Sequence, residues 1–366
     1  MKFYCLCAME TVSLPESDLT SLPTVSVIVP IYNGEADLPE LIQCLQAQRY
    51  PTDRVEYLLV DNGSRDRTSE LLQSILHSLS LTQDNIRVRV LSETQIQSSY
   101  AARNCGIRAT SSEILAFTDA DCRPQPDWLL HLVQPFVQKV GQPEIDPEIN
   151  LEIGVVAGEI LPLSGNTLLE RYADRHEILS QRHTLSHSFY SYGQTANLAV
   201  RRQALEQVGS FRPWLTTGGD ADLCWRIQQT GSWQLQYAEQ AIVQHRHRST
   251  CRELRHQWMR YGRSNRYLHE LYGVTLEQSL TAREVVYRLG RWLVKEIPLV
   301  CRQSLSQQNT SRLNASRLQT WIDSMLDTPI GLLCRYWRTV GQQQTKLPEM
   351  ARHIEPLPVA APARNL

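Results

Sequence analysis

The chain has no CxxC pair, no GxGxxG and no GxxxxGK[ST]. Those absences exclude the usual zinc sites, dinucleotide oxidoreductases and P-loop enzymes. Nine cysteines at scattered positions, an odd number, argue against a disulfide framework and point to a reducing compartment, here the cytoplasm. There is no run of about 18 uncharged apolar residues, so no segment reads as a membrane-spanning helix. The opening MKFYCLCAMETV has too short an apolar run, with an acid soon after, for a secretory signal. Met9 is an alternative start, which would place the first eight residues outside the native chain. Neither sign of charge is in excess: the net charge is -1, and no nucleic-acid partner is expected. No internal repeat or low-complexity block is present.

With 366 residues, 42% of them hydrophobic, the chain can bury a large core. Its charge is uneven along the length. Of 37 Lys+Arg and 38 Asp+Glu, 19 and 9 fall from His245 onward, leaving 18 and 29 before it. A basic last third suits an anionic surface such as lipid headgroups or an acidic substrate, and equally a solvated helical surface.

Strand patterns alternate with helical ones through the first half. VSVIVPIY (25–32), VEYLLVDNGS (55–64), IRVRVLSE and ILAFTDAD read as strands. Between them LPELIQCLQAQ and TSELLQSILHSL carry apolar residues at helical spacing, SYAARNCGIRAT reads as a short helix, and WLLHLVQPFVQKV as a helix interrupted at Pro135. The alternation predicts an α/β fold with a mostly parallel sheet covered on both faces. Ligands then sit beyond the carboxyl ends of the strands, so Asp61 and Asp119 should meet in one cleft although 58 positions separate them. Further along, TTGGDADLCWRIQQTG reads as a helix opened by Asp220 and ended by Gly231. The division expected is a loose segment 1–24, a catalytic domain 25–250, a basic helical region 251–345 and a flexible tail 346–366.

In ILAFTDADCRPQPDW a buried strand runs into Asp119 and Asp121. On an extended backbone both carboxylates point the same way and suit a hard cation, Mg²⁺ or Mn²⁺. The pair alone is a weak signal, since Asp220 and Asp222 repeat the spacing. A cap or turn is the alternative.

The ordered set VSVIVPIYNGEADL, VEYLLVDNGSRDRT, SYAARNCGIRATSSEILAFTDAD, TANLAVRRQALEQVGSF and GGDADLCWRI resembles the family 2 glycosyltransferases with the GT-A fold, from about Val25 to Arg248. The resemblance implies a Rossmann-like sheet with an α-helical C-terminal region, and a hexosyltransferase-type enzyme using a nucleotide-sugar donor, with a UDP-sugar expected. It implies donor contacts at Pro30, Tyr32, Asn33, Glu35, Asp61, Arg103, Asn104 and Asp119, and a metal held by Asp119, Asp121 and His245. Asp220 matches the base of an inverting reaction. Two positions depart from the family pattern. Asn62 stands where a second acid is usual after Asp61, and Gly219 where a Glu usually precedes the base. The implied acceptor is a hydroxyl of a glycan, lipid-linked or polysaccharide acceptor.

The last third reads as helices whose aromatic and aliphatic stripes (Leu254, Trp258, Tyr261, Leu268, Tyr272) are flanked by arginines. These helices could lie in a membrane interface, making the protein peripheral on the inner face of the plasma membrane, or pack on the catalytic domain. Two other functions stay open: a nucleotidyltransferase-like enzyme, for which VPIYNGEADL lacks a Gly-rich basic loop, and a non-catalytic scaffold, favoured only by Gly219.

Overall fold

The computed structural model describes residues 22–81, 86–137, 151–299 and 315–357; the expected loose segment lies outside this range up to residue 21. The strands form one eight-stranded sheet in the order β3-β2-β1-β4-β7-β6-β8-β5. They are β1 (Val25–Ile31), β2 (Val55–Asp61), β3 (Arg87–Ser92), β4 (Ile114–Thr118), β5 (Cys122–Pro124), β6 (Glu152–Pro162), β7 (Asn197–Arg201) and β8 (Trp233–His245). β1 to β4 run parallel, β7 runs antiparallel to β4 and β6, and β8 is parallel to β6.

The expected alternation places successive side chains on opposite faces. Val25, Val27, Val29 and Ile31 pack on one side with Leu38, Leu41 and Leu45 of α1 (Leu38–Gln46) and with Trp128, Leu129 and Leu132 of α4 (Trp128–Val137). Ile28, Leu58, Val60 and Phe117 pack on the other with Tyr100, Ala102 and Ile107 of α3 (Ser99–Arg108). The helix α2 (Thr68–Leu81) follows β2. α4 was expected to be interrupted at Pro135, yet the described helix runs through it to Val137, with Pro135 buried.

Beyond α4 come α5 (Leu168–Arg175), α6 (Gln181–Leu185), α7 (Arg202–Val208) and α8 (Gly219–Gln229). The last helices are α9 (Cys251–Tyr272), α10 (Ala282–Arg291) with a π turn at Trp292–Glu296, and α11 (Ala315–Gln343). α9 and α11 cross closely. A Cβ on Gly262 would overlap the Arg338 carbonyl, and one on Gly341 that of Met259, so both crossing points need glycine. Tyr267 and Leu268 of α9 join the catalytic core.

Of the tail expected to be loose over 346–366, the described part, 346–357, packs; the rest lies outside the described residues. Leu347, Ala351 and Leu357 are buried in the core, and Glu355 accepts from Arg108 and from Asn104 Nδ2. Apolar spacing in this short stretch is too sparse to read as an element, but burial of three residues anchors it.

Register brings distant residues to one rim. Thr118 pairs with Asn197, Pro162 with His245, and Cys122 with His245. The ends of β1, β4 and β8 and the start of β7 therefore open on the same side of the sheet, where a cleft of about 1080 Å³ lies.

Candidate active site

Asp119 and Asp121 do not continue the strand. The chain turns after Thr118, with Cys122 N–H donating to the Asp119 carbonyl at 3.1 Å, and re-enters the sheet as β5. The turn replaces the extended arrangement expected from the spacing and gives each carboxylate its own cation. Asp119 accepts from Arg103 at 2.5 Å; Asp121 faces His245 Nε2 and Arg248, each at 3.4 Å. Burial works to raise the Asp121 carboxyl, but the opposing pull of His245, Arg248 and Arg246 holds it below the ordinary range.

His245 is set up as a ligand. Its Nδ1 donates to the Arg246 carbonyl at 2.8 Å, which turns Nε2 toward Asp121; a metal bound there would take Nε2 in its deprotonated form. One carboxylate oxygen of Asp121, an imidazole nitrogen of His245 and Cys122 Sγ lie within 4.8 Å of one another. Carboxylate and imidazole suit Mg²⁺ or Mn²⁺. Burial pushes the Cys122 thiol well up, so it stays protonated and a poor partner for a hard cation. The donor set therefore fits a divalent metal at Asp121 and His245. Asp119 is not part of that cluster and is held by Arg103.

Asp220 lies across the same cleft. It does not open α8 as expected: Gly218, at φ 78°, caps the helix, and Asp220 is its second residue. Its carboxylate accepts from the Thr195 N–H at 3.4 Å and the Thr195 hydroxyl at 3.1 Å. Burial raises the Asp220 carboxyl, and Asp119 adds to the rise, against Arg103 and hydrogen bonds from Thr195 and Tyr100. A helix N-terminus was expected to favour the charged form; desolvation outweighs it.

Of the other residues expected at the donor, Pro30, Tyr32, Asn33 and Arg103 line the cleft. Asn33 holds a left-handed φ of 51°, uncommon for a residue other than glycine, and ties the turn to Arg65 N–H through its side chain. The Arg103 side chain is 3% exposed, with its Nε unpaired and its guanidinium 5.6 Å over the Tyr100 ring. Three of the expected donor residues do not line the cleft and are engaged by other groups. Asn104 bonds both backbone groups of Phe211 and does not reach the cleft. Glu35 binds Arg67. Asp61 is buried, accepting from Ser64 N–H and the Ser69 hydroxyl, two strands away from Asp119 across β1.

The chain matches the model "Glycosyl transferase family 2" over residues 26–142 and "Glycosyl transferase family group 2" over residues 114–328, more than half its length. It is 34% identical over 228 residues to Glycosyltransferase AglE of Haloferax volcanii, covering 62% of this chain and 68% of that one. The chain is a family 2 glycosyltransferase. A pre-mycofactocin glycosyltransferase of Mycobacterium tuberculosis is 30% identical over 234 residues, 63% of this chain but only 44% of its own length. Among solved structures, a mannosyltransferase from Pyrobaculum calidifontis in complex with GDP-Man and Mn²⁺ matches at TM-score 0.51 and 17% identity, over 86% of this chain and 88% of that one. The shared fold is GT-A.

The glycosyltransferase's two departures from its family pattern have local explanations. Asn62 donates from Nδ2 to the carbonyls of Glu93 and Ile96, which a carboxylate could not do. At Gly219 the place of a side chain is taken by Tyr100. Neither Tyr100 nor Thr195 stood out in the sequence of this glycosyltransferase. Single tyrosines and threonines carry no spacing signal, and only the fold brings them to Asp220.

Proposed function

We propose that this glycosyltransferase transfers a sugar from a nucleotide-sugar to an acceptor hydroxyl with inversion, aided by Mg²⁺ or Mn²⁺ at Asp121 and His245, with Asp119 contributing once Arg103 releases it. The supporting observation is the charge pattern in the cleft. Asp37, Asp119, Asp121 and Glu277 each face an arginine, whereas Asp220 has no ion-pair partner among the described residues. An unpaired, half-buried carboxylate is suited to take the proton from the acceptor hydroxyl as that oxygen attacks the anomeric carbon. Thr195 orients it. No second carboxylate in the cleft is left over as a nucleophile, so a single displacement fits best. When bound, the cation offsets charge developing on the leaving diphosphate. Arg103, with an unpaired Nε, can donate to the donor's phosphates or base.

The proposed acceptor is a glycan, lipid-linked or polysaccharide hydroxyl. The C-terminal helices favour contact with a membrane surface. Glu284 and Glu296 anchor α10 and its π turn to Arg335 and Thr328 of α11, while Val286 and Val294 are 70% and 80% exposed beside Arg283, Arg288, Arg291 and Lys295. Among the described residues no helix is long and apolar enough to cross a membrane.

The test is a panel of nucleotide-sugars scored by thermal shift with and without Mn²⁺. Asp121→Ala should lose the Mn²⁺-dependent donor shift. Asp220→Asn should keep it and lose turnover. Normal turnover by Asp220→Asn would refute the assignment of the base.

A further inference from the structure

Asp37 stands at the N-cap of α1 but does not cap it: its side chain accepts no bond from the helix backbone. Aspartate at that position usually does. Pro39, the second residue of the helix, has no N–H to offer, which leaves the carboxylate to turn elsewhere. It turns to the cleft wall, where its side chain is 11% exposed and each oxygen takes one arginine. Oδ1 accepts from Arg123 Nη2 at 3.1 Å, and Oδ2 from Arg246 Nη2 at 2.9 Å.

Those two arginines lead to the two residues placed at the metal. Arg123 follows the turn that carries Asp121. Its Nη1 donates back to the carbonyls of that turn, Ala120 at 3.2 Å and Cys122 at 2.9 Å, and its Nε donates to Glu40 at 2.8 Å. Arg246 follows His245 directly. Its carbonyl accepts from His245 Nδ1 at 2.8 Å, and its N–H donates to the Asp121 carbonyl at 3.5 Å. Asp37 is therefore one bond from the arginine that shapes the Asp121 turn and one bond from the residue that orients the His245 ring.

The sheet by itself holds these segments weakly. β5 is a three-residue strand at the sheet edge, and its ladder to β8 has three pairs. That ladder stops at Cys122 and His245, so Asp121 and Arg246 lie just past its last pair. A carboxylate shared by two guanidinium groups supplies a charge-assisted brace at the point where the ladder ends.

We infer that Asp37 is a positioning residue for the metal: through Arg123 and Arg246 it fixes the spacing of Asp121 and His245. This rests on the proposal that a divalent cation binds at those two residues. Asp37 lies outside the cluster of Asp121, Cys122 and His245, and both its oxygens are taken by arginines. It acts on the cation through them and not as a ligand.

The experiment is a Mn²⁺ titration of the full chain with UDP or GDP present, read by electron paramagnetic resonance of the free ion. Groups that orient metal ligands are worth about 10–100-fold in metal affinity. Asp37→Asn should weaken Mn²⁺ binding by about tenfold or more, and Arg246→Gln should weaken it as well. The second variant separates positioning from charge. Removing a cation beside the site tightens Mn²⁺ binding if charge alone acts, whereas losing the brace weakens it. Glu40→Gln takes the 65% exposed partner from the same Arg123 and should stay within about twofold of the parent. Pulsed resonance of the bound ion gives another readout. The nitrogen modulation from His245 should be shallower in Asp37→Asn and Arg246→Gln, with His245→Ala as the baseline. The Arg246 side chain is 47% exposed, so its variant decides the question even if Asp37→Asn fails to fold.

Mn²⁺ binding by Arg246→Gln as tight as the parent's, or tighter, overturns the inference. So does a loss in Glu40→Gln equal to that in Asp37→Asn, or unchanged nitrogen modulation. If the parent chain binds no Mn²⁺, the metal reading falls and this one falls with it. A parent that binds Mn²⁺ alongside variants that match it removes the brace alone.

Discussion

Tyr100 fills the space that a side chain at Gly219 would need: a Cβ there would lie 2.7 to 2.9 Å from three atoms of the Tyr100 ring. The missing acid of the family pattern is therefore a substitution by a residue 119 positions earlier in the chain. The tyrosine brings a hydroxyl to Asp220 in place of a carboxylate. Gly219→Ala should force the ring aside, costing about 1–3 kcal/mol of stability by overpacking, as read by denaturant titration.

The Asp220 carboxyl is raised, chiefly by burial. If it is the proposed base it must be ionised to act, so turnover should climb with pH through a midpoint above the ordinary aspartate value. The Tyr100 hydroxyl lowers that midpoint by hydrogen bonding. Tyr100→Phe should therefore move the ascending limb of the kcat profile to higher pH. A limb that stays put would show that the phenol does not act on Asp220.

The same shift has a sign in stability. Because the folded state holds the Asp220 proton more tightly than the unfolded chain, stability falls as pH rises from the unfolded pKa through the folded one. The deficit is absent below the ordinary aspartate value and complete only above the raised folded one. Asp220→Asn should raise Tm at pH 7 and leave it nearly unchanged in acid, while abolishing turnover.

Asp222, two residues on, has a different task. Its side chain is 0% exposed and accepts from Arg212 at 2.7 Å, Arg226 at 3.0 Å and the Tyr272 hydroxyl at 2.7 Å. Asp222→Ala leaves two buried arginines without their counter-charge. Unfolding free energy should drop by about 3–5 kcal/mol, with the loss visible in urea melts.

For the membrane contact, flotation with liposomes containing anionic lipid should recover the parent chain at low salt. Val286→Asp with Val294→Asp should sink it, because both residues sit on the exposed face and neither supports the core. Equal flotation of both proteins would remove α10 as the contact.

Much of this was legible from residue patterns. Val25–Ile31 and Ile114–Thr118 are β-branched or apolar enough to be strands buried on both faces, and the crossover rule then put their ends on one rim. Asp119, Asp121, Asp220 and His245, expected from that rule and the motif order, do line one cleft. What failed was direction at finer grain. Arg103 and Asn104 are neighbours on α3, about 100° apart around the axis, so one faces the cleft and the next faces Phe211. A linear motif assigns both alike. Asp119 and Asp121 were read as extended because nothing local marks the turn that Cys122 closes onto Asp119.

The end of the chain bears on the chemistry at its start. The helix that presents Tyr100 and Arg103 is roped at its far side to Glu355, through Asn104 and Arg108. Clipping the protein after its last long helix would therefore slacken the mounting of two cleft residues without removing one of them. A shortened version could look intact by its catalytic motifs and still aim them badly.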